Sequence, residues 1–499
     1  MEISESRLYD PYLSKTMYTK GIQCHKALWL YKYRRELMDE RSASQLAVFN
    51  VGYQVGDLAL GLFPGGVMVP YGGLTAEEQL QKTREALARG EETIYEATFS
   101  HDNIFVKVDI LHRGPDGWEL YEVKSSTSLK DQYLQDIAVQ YHVLSGFGLV
   151  ISTASLVHIN NQYVRRGGIE VEKLFTVLDL TETIRAMQPE IVSNVAAMRK
   201  MLLEDIPSID IGPHCHNPYD CSFLGHCWEH IPENSVFEFK GHGSPDPFKL
   251  YEQGILKMAD VPPEQLGWRQ RLQLESLMHQ KNHIDVDAVG SFLVSLSYPL
   301  CFMDFETSYI VPVPLFDGTR PYQQVPFQFS LHVINEPNGE IQHFEFLADE
   351  LKDPQQNFLE HLLAAIPPDA CILTWNQTFE EQRLRELAAA FPERSGEIHA
   401  IIDNLRDLMA PFRDKSIYDW RFKGSYFIKY VLPAMVEGYS YEGMEVNNGE
   451  AASAAWLQMI RTTDDEEKES LRRNLLQYCH LDTYGMLMIL GEMRRMVTS

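Results

Sequence analysis

Apolar positions in the second half of the chain recur with two different periods. From Ser297 onward there are short apolar runs with strand character, such as LCFMDFE, VPFQFSLHVI and ACILTW. Runs with apolar residues three or four positions apart follow them, among them FEEQRLRELAAAF and RRNLLQYCHLDTYGMLMILGEMRRM. The first pattern is typical of buried strands and the second of amphipathic helices, so a mixed α/β domain is predicted here.

The first half of the chain shows a similar mixture, with a hairpin pattern at its centre. Residues 103–112 (NIFVKVDILH) and 119–126 (ELYEVKSS) both have strand character, and the turn RGPDGW separates them. A Gly-Pro-Asp-Gly cluster between two such runs predicts an antiparallel β-hairpin. We therefore expect a second α/β domain in this half.

Breaks in these patterns divide the chain into three parts. Residues 1–230 form the first α/β region, which ends in the Cys- and His-rich loop PHCHNPYDCSFLGHCW. Residues 231–295 open with a Gly/Pro/Ser-rich run and continue with short polar helices, so they are predicted to be a helical connector. Residues 296–499 form the second α/β domain. A chain of 499 residues is too long for one hydrophobic core, which agrees with this division.

The composition is that of an ordinary globular protein. Hydrophobic residues make up 44% of the chain and charged residues 23%. No apolar stretch approaches the length that spans a bilayer, and the opening residues, MEISESRLYDPYLSKTMYTK, lack the apolar core of a secretory signal. We therefore expect a cytoplasmic protein with no membrane partner.

The formal net charge of −26 narrows the possible nucleic-acid functions. It argues against a protein that simply coats nucleic acid, because binding phosphates requires local lysine and arginine. It is compatible with a nuclease, whose carboxylates hold metal ions that supply positive charge. One segment, residues 25–35 (HKALWLYKYRR), interleaves basic and aromatic residues. It fits either a surface that binds phosphates and stacks bases or an amphipathic helix with cations along its edge.

Acidic residues stand at the ends of apolar elements in the second domain. Asp304 and Glu306 lie on one face of a strand, because strand side chains alternate. Tyr478 and Asp482 are four positions apart and project from one helical face. Glu380 follows a strand that runs into a helix start. Carboxylates at the end of an apolar strand are costly unless a cation neutralises them.

These residues resemble the DEDD exonucleases, an RNase H-like superfamily, in its tyrosine subclass. The matching positions are Asp304 and Glu306, then Asn376 and Phe379, then Tyr478 and Asp482. Glu380 stands where the family has a second Asp, and the adjacent Glu381 is an alternative for that role. The resemblance implies a 3′–5′ exonuclease in which two Mg²⁺ or Mn²⁺ ions are held by four carboxylates. These are Asp304, Glu306, Glu380 and Asp482. Tyr478 would orient the attacking water or help to deprotonate it.

The predicted hairpin of the first domain carries a second acidic set. Asp109 lies inside an apolar strand, and Glu122 and Lys124 share one face of the next strand. This pattern resembles the PD-(D/E)XK nuclease core, in which the two acids hold a metal ion and the lysine positions water or stabilises charge. A surface ion pair on a plain hairpin is the alternative.

Further residues extend this second resemblance toward the RecB-like branch. Glu96, one strand earlier, is a plausible additional acid, and Gln140 resembles the helix glutamine of that branch. The branch often has a metal-binding histidine on an early helix, where this chain has Gly56. The ligand set implied by the resemblance therefore lacks that histidine.

Four cysteines bracket the first domain: Cys24, Cys215, Cys221 and Cys227. One early and three late cysteines around a RecB-like core resemble the iron–sulfur nucleases, which implies a [4Fe–4S] cluster on four thiolates. Zinc is the alternative, because His214, His216 and His226 are near. Free buried thiols are expected at Cys301, Cys371 and Cys479.

The whole layout resembles a bacterial family known as a domain of unknown function, which joins an iron–sulfur RecB-like nuclease to an RNase H-like exonuclease. The resemblance implies a DNA exonuclease with two centres that acts on single-stranded DNA or DNA ends in repair or defence. A nucleic-acid-binding scaffold with one or both centres inactive and an RNA exonuclease are the two alternatives. Protein partners are not indicated.

Overall fold

The computed structural model describes residues 12–41, 43–70, 72–308 and 311–498, with the backbone alone for residues 43–49. The chain divides into two compact units. The first comprises Met1–His230 and Val311–Tyr322, and the second comprises Ile231–Ile310 and Gln323–Ser499. Both units contain helices and mixed sheets, which confirms the α/β class. The predicted connector, residues 231–295, lies inside the second unit.

Within the described residues, a seven-stranded mixed sheet forms the centre of the first unit. Its strands are β1 (Leu13–Ser14), β2 (Val67–Met68), β3 (Thr93–His101), β4 (Ile104–Arg113), β5 (Trp118–Lys124), β6 (Ile151–Ile159) and β7 (Phe175–Asp179). Strands β2 to β7 are neighbours in chain order, and β1 pairs in parallel with the start of β4. The antiparallel pairing of β4 with β5, through Ile110↔Tyr121 and Arg113↔Trp118, confirms the predicted hairpin.

Helices cover both faces of this sheet. They are α1 (Lys15–Gln23), α2 (His25–Tyr33), α3 (Ala43–Ala59), α4 (Ala76–Arg89), α5 (Asp131–Phe147), α6 (Val171–Leu174), α7 (Thr181–Ala186), α8 (Gln188–Leu203) and α9 (Leu224–Cys227). Apolar residues of α1, α2, α5 and α8 form a core on one face, and Tyr95 and Tyr121 pack in a second core with α3. Val106 and Val108 of β4 belong to the first core, whereas Ile110 belongs to the second, so the regular alternation of β4 breaks beside Asp109.

The second unit contains, among its described residues, a five-stranded mixed sheet and a two-stranded one. Its strands are β8 (His283–Ile284), β9 (Leu300–Thr307), β10 (Pro326–Ile334), β11 (Ile341–Leu347), β12 (Cys371–Thr374), β13 (Leu405–Asp407) and β14 (Ile417–Tyr418). The larger sheet has the order β11-β10-β9-β12-β13, and β8 pairs with β14. The central strand β9 is antiparallel to β10 and parallel to β12.

The two faces of the larger sheet differ in polarity. The helices of this unit are α10 (Pro247–Glu252), α11 (Trp268–His279), α12 (Val286–Val294), α13 (Gln355–Ala365), α14 (Gln377–Ala390), α15 (Ser395–Asp403), α16 (Ala410–Arg413), α17 (Ile428–Met435), α18 (Gly449–Met459) and α19 (Asp465–Thr498). Met303 and Phe305 of β9 pack with α13, α14 and α15 in an apolar core. The alternate residues Asp304 and Glu306 face the other side, where α18 and α19 pack on β9.

Helix α19 is 34 residues long and packs along β9, β10, β11 and β12. Its buried residues, among them Leu475, Cys479 and Met486, recur every three or four positions. Tyr478 and Asp482 belong to the same buried stripe, so both point toward the sheet. None of the helices in the described part of the chain is long and apolar enough to cross a membrane.

Candidate active sites

Three acidic side chains converge between β9 and α19. One carboxylate oxygen from each of Asp304, Glu306 and Asp482 lies within 4.8 Å of one from each of the other two. Asp304 stands opposite Ser330 in the β9–β10 register, on the face that α19 covers. Glu306 and Asp482 are each 6% exposed, so these anions share a space that has little contact with water.

Burial and mutual repulsion raise the pKa of these carboxyls. The pKa of Asp304 lies well above its usual range, because of burial and then the charges of Asp482 and Glu306. Burial and Asp482 also raise the pKa of Glu306. The pKa of Asp482 rises only to about 6, because the hydrogen bond from Tyr441 and the ammonium of Lys429 oppose the effect of burial. Such a set is unfavourable unless a cation neutralises it.

The fourth predicted acid, Glu380, lies in the first turn of α14 and is 2% exposed. Burial raises its pKa to about 8, and its charge raises the pKa of Asp304. Its Oε2 atom is buried and has no hydrogen-bond partner among the described residues. The alternative, Glu381, instead accepts a hydrogen bond of 2.7 Å from Arg385 at the surface of the helix. Glu380 rather than Glu381 is therefore the buried acid whose charge acts on this centre, and it lies outside the 4.8 Å group of Asp304, Glu306 and Asp482.

Two residues outside the predicted motifs contribute to this centre. The Tyr441 hydroxyl donates a hydrogen bond to Oδ1 of Asp482. The ammonium of Lys429, on α17, lies 5.8 Å from the ring centroids of both Tyr441 and Tyr478. Burial, followed by the charge of Asp482, raises the pKa of the Tyr441 and Tyr478 phenols. No spacing rule links Tyr441 to Asp482, so the sequence carried no signal for this contact.

The donor atoms of this centre fit a hard divalent cation. All of them are carboxylate oxygens, the ligands that Mg²⁺ and Mn²⁺ prefer, and the unpartnered Oε2 of Glu380 is one. The Sγ atom of Cys479 lies 3.7 Å from Oδ2 of Asp304, so this expected free thiol borders the centre. An open pocket of about 400 Å³, lined by Glu306, Phe379 and Asn448 among others, adjoins it.

In the first unit, the predicted acid Glu122 is surrounded by hydrogen-bond donors instead of other carboxylates. Glu122 is 1% exposed, and its carboxylate accepts four hydrogen bonds. Two come from Nζ of Lys15 at 2.9 and 3.1 Å, one from Lys124 at 2.7 Å and one from Gln140 at 2.7 Å. Lys124 also donates to Asp136 at 2.6 Å. Lys15, on α1, and Asp136, on α5, are not among the predicted site residues.

The pKa values of Glu122 and Asp109 shift in opposite directions. Burial alone would raise the pKa of Glu122, but Lys124 and Lys15 bring it down to about 2. The pKa of Asp109 rises to about 7, because of burial and then the charge of Glu122. The backbone N–H of Val123 donates to Asp109 at 2.7 Å. Within the described residues, no three acids of this centre have oxygens within 4.8 Å of one another.

Glu96 lies opposite Asp109 in the β3–β4 ladder, between the pairs Tyr95↔Ile110 and Ala97↔Val108. Its φ of +53° places a non-glycine residue in the left-handed region, which costs on the order of 1–3 kcal/mol and is common at functional sites. Burial raises the pKa of Glu96, and the charge of Asp57 adds to this effect.

Asp57 follows Gly56 on α3, where the resemblance would place a histidine. A Cβ atom built at Gly56 meets no described atom within 4 Å, so a larger side chain would have space there. Asp57 is close enough to affect the Glu96 carboxyl. It is therefore an acid directly beside, in the chain, the position of the missing histidine ligand.

The four predicted cysteines, Cys24, Cys215, Cys221 and Cys227, line one small cavity. Burial raises the pKa of the Cys221 thiol to about 11, and it also raises the pKa of Cys24 and Cys227. Among the described residues, no three cysteine or histidine ligand atoms here lie within 4.8 Å of one another. Thiolates on one tetrahedral zinc ion, at about 2.3 Å each, would be roughly 3.8 Å apart. In this structure every trio of these ligand atoms includes at least one distance longer than 4.8 Å.

The segment of basic and aromatic residues forms helix α2 and its end. Trp29 is 8% exposed, and its indole N–H donates to the carbonyl of Glu204 at 3.1 Å. The Tyr33 hydroxyl donates to the carbonyl of Leu202 at 2.8 Å. Because these rings are engaged in packing, the structure supports the amphipathic-helix interpretation over a base-stacking surface.

The family described as a domain of unknown function (DUF2779) matches residues 301–427. This range contains Asp304, Glu306 and Glu380 and ends before Tyr478 and Asp482. No curated protein matches the chain at a significant level.

Proposed function

We propose that this protein is a metal-dependent nuclease whose second unit is a DEDD-type 3′–5′ exonuclease centre of the tyrosine subclass. The observation that carries the proposal is the convergence of Asp304, Glu306 and Asp482 within 4.8 Å, beside the buried and unpartnered oxygen of Glu380. Repelling buried carboxylates are typical of sites that hold cations. The mixed sheet flanked by helices is compatible with the RNase H-like fold of that superfamily.

Asp304, Glu306, Glu380 and Asp482 would hold two ions of Mg²⁺ or Mn²⁺, which supply charge stabilisation at the scissile phosphate and activate water. Tyr478 would orient that water, because it lies on the same helical face as Asp482. Lys429 would offer positive charge to a substrate phosphate. Phe379 lines the adjoining pocket and would provide an apolar surface for a terminal base.

The first unit is proposed as a second centre of the PD-(D/E)XK type. Asp109, Glu122 and Glu96 would hold a metal ion, and Lys124 would stabilise negative charge on the phosphate. Gln140 holds Glu122 in place through a 2.7 Å hydrogen bond. Since Lys15 occupies both oxygens of Glu122, a metal ion at Glu122 requires this lysine to move.

The cysteine cavity is proposed to hold a [4Fe–4S] cluster with a structural role. In such a cluster each thiolate binds a different iron, which separates the sulfur atoms more than one zinc ion does. The spacing of the four cysteines therefore favours the cluster over zinc. It would link Cys24, at the end of α1, to the late loop that carries Cys215, Cys221 and Cys227.

A nucleic-acid-binding scaffold is the second candidate function. In the first unit, the scaffold function is favoured because both carboxylate oxygens of Glu122 already accept hydrogen bonds from Lys15, Lys124 and Gln140. The substrate is proposed to be single-stranded DNA or DNA ends, and RNA is the alternative polymer.

The test is exonuclease digestion of 5′-labelled and 3′-labelled single-stranded DNA, and of RNA with the same sequence, in Mn²⁺. The protein is purified without oxygen as wild type, Asp304→Asn, Asp109→Asn and the double variant. Glu381→Gln serves as a matched control, because it alters a surface carboxylate beside the centre. Loss of 3′–5′ trimming in Asp304→Asn but not in Glu381→Gln is expected. Unchanged trimming in Asp304→Asn would reject the second-unit centre, and binding without cleavage by wild type would favour the scaffold.

A further inference from the structure

Three histidines from separate elements of the second unit meet beside α19. His332 lies on β10, His343 stands directly opposite it on β11, and His480 lies on α19. One ring nitrogen of each lies within 4.8 Å of one from each of the other two. The ring centroids are 4.4, 4.8 and 4.7 Å apart. None of these residues belongs to the two acidic centres or to the cysteine cavity.

Hydroxyl groups hold two of the three rings in place. Nδ1 of His332 lies 2.9 Å from Oγ1 of Thr483, and Nε2 of His343 lies 3.0 Å from Oγ of Ser330. Thr483 can donate to the carbonyl of His480 at 3.2 Å, and Ser330 can donate to Thr483 at 2.7 Å. With this assignment the hydroxyls accept the ring N–H groups, and the other nitrogen of each ring has a free lone pair. Metal-binding histidines are usually oriented through their second nitrogen in this way.

Aromatic packing is the competing explanation for the cluster. The rings of His332 and His343 are stacked at 25°, and Tyr484 stacks on His480 at 22°. Packing accounts for the ring contacts, whereas the hydroxyl partners of His332 and His343 orient these rings and leave one nitrogen of each available to an ion. His332 is buried, whereas His343 and His480 are partly exposed. His480 also lines an open groove of about 480 Å³, so an ion could enter from solvent.

We propose that His332, His343 and His480 form a separate binding site for a divalent transition-metal ion of the zinc class. Three imidazoles with one open position suit zinc and similar ions, whereas Mg²⁺ and Mn²⁺ prefer the all-oxygen set nearby. The bound ion links α19 to the β10–β11 edge of the sheet. His480 lies between Tyr478 and Asp482 in sequence, so the same ion stabilises the helix turn that carries them. The site itself does not depend on the proposed nuclease activity.

The test measures Zn²⁺ stoichiometry and affinity on the full-length, tag-free protein, with Co²⁺ absorption as a second probe. The variants are His343→Ala, His361→Ala, Asp304→Asn and Cys227→Ser. His361 is a matched control, because it lies on α13 with its Nδ1 bonded to the carbonyl of Asn357. Asp304→Asn and Cys227→Ser separate this site from the acidic centre and from the cysteines.

The expected result is one Zn²⁺ equivalent that His361→Ala, Asp304→Asn and Cys227→Ser retain. In His343→Ala the affinity falls at least about tenfold, and the rise in melting temperature on adding Zn²⁺ is lost. His480→Asn gives a second reading if His343→Ala fails to fold. Equal Zn²⁺ affinity in wild type and both histidine variants would overturn the site, and so would loss of this equivalent in Asp304→Asn or Cys227→Ser.

Discussion

The ammonium nitrogen of Lys15 lies 2.9 Å from Oε1 and 3.1 Å from Oε2 of Glu122, although 107 residues separate them in the chain. This ion pair joins the first residue of α1 to β5. Lys15 and Lys124 together neutralise an acid that is 1% exposed. The first acidic centre is thus held by lysines, whereas the second consists of carboxylates that repel one another.

Replacing Lys15→Met is expected to destabilise the first unit by about 1–3 kcal/mol, because a buried carboxylate loses two hydrogen bonds. The pKa of Glu122 is depressed to about 2 from 4.5. The stabilisation is therefore full above pH 4.5 and shrinks as the pH falls toward 2. Chemical unfolding of wild type and variant at pH values from 8 down to about 2.5 measures this difference. Lys32→Met, an exposed lysine of the same unit, is the control, and equal losses in both variants would contradict the prediction.

Glu380→Gln and Glu381→Gln are expected to behave differently although the two residues are adjacent. The first removes a carboxylate that would bind metal and should lower metal-dependent trimming at least a hundredfold, which is about 2.7 kcal/mol of transition-state stabilisation. The second breaks a surface pair with Arg385 and should leave trimming within about twofold. Single-turnover rates in Mn²⁺ measure both. A larger loss in Glu381→Gln would reassign the fourth acid.

Asp304→Asn is expected to stabilise the metal-free protein by about 1 kcal/mol or more, which raises the melting temperature by about 2–4 °C. The pKa of Asp304 is raised above its ordinary value. The charged form therefore destabilises the folded state at pH values above the ordinary pKa, and this cost disappears below it. The gain should therefore be larger at pH 8 than at pH 5. Scanning calorimetry in EDTA measures it.

The same variant should lose the stabilisation that Mn²⁺ gives to wild type, because bound ions stabilise the folded state that holds them. Asp403→Asn, an exposed acid at the end of α15, serves as the control and should match wild type in both experiments. An Asp304→Asn protein that is less stable than wild type in EDTA would show that mutual repulsion does not dominate this centre.

Anaerobically purified protein is expected to contain four iron atoms and four acid-labile sulfides per chain, as a [4Fe–4S] cluster requires. Cys227→Ser should lose most of both, and His216→Ala, which alters an exposed histidine paired with Asp220, should retain them. Elemental analysis and visible absorption provide the measurement. If the wild-type protein contained zinc and no sulfide, and His216→Ala lost that zinc, the zinc alternative would be favoured.

The sequence alone was enough to predict which residues share one face of a strand or a helix. Asp304 and Glu306 share a face because strand side chains alternate, and Tyr478 and Asp482 share one because helical neighbours are four apart. The turn between β4 and β5 could be predicted for the same reason, since its residues act locally. These periods depend on backbone geometry, which a few neighbouring residues determine.

The tertiary structure decided which of these faces meet and which neighbouring acid points inward. Glu380 rather than Glu381 is buried and raises the pKa of Asp304, because α14 presents only one side to the sheet. Lys15 meets Glu122, and Tyr441 meets Asp482, across 107 and 41 residues. The three histidines converge only when β10, β11 and α19 pack together. Such contacts follow from the packing of whole elements, and no local period along the chain encodes them.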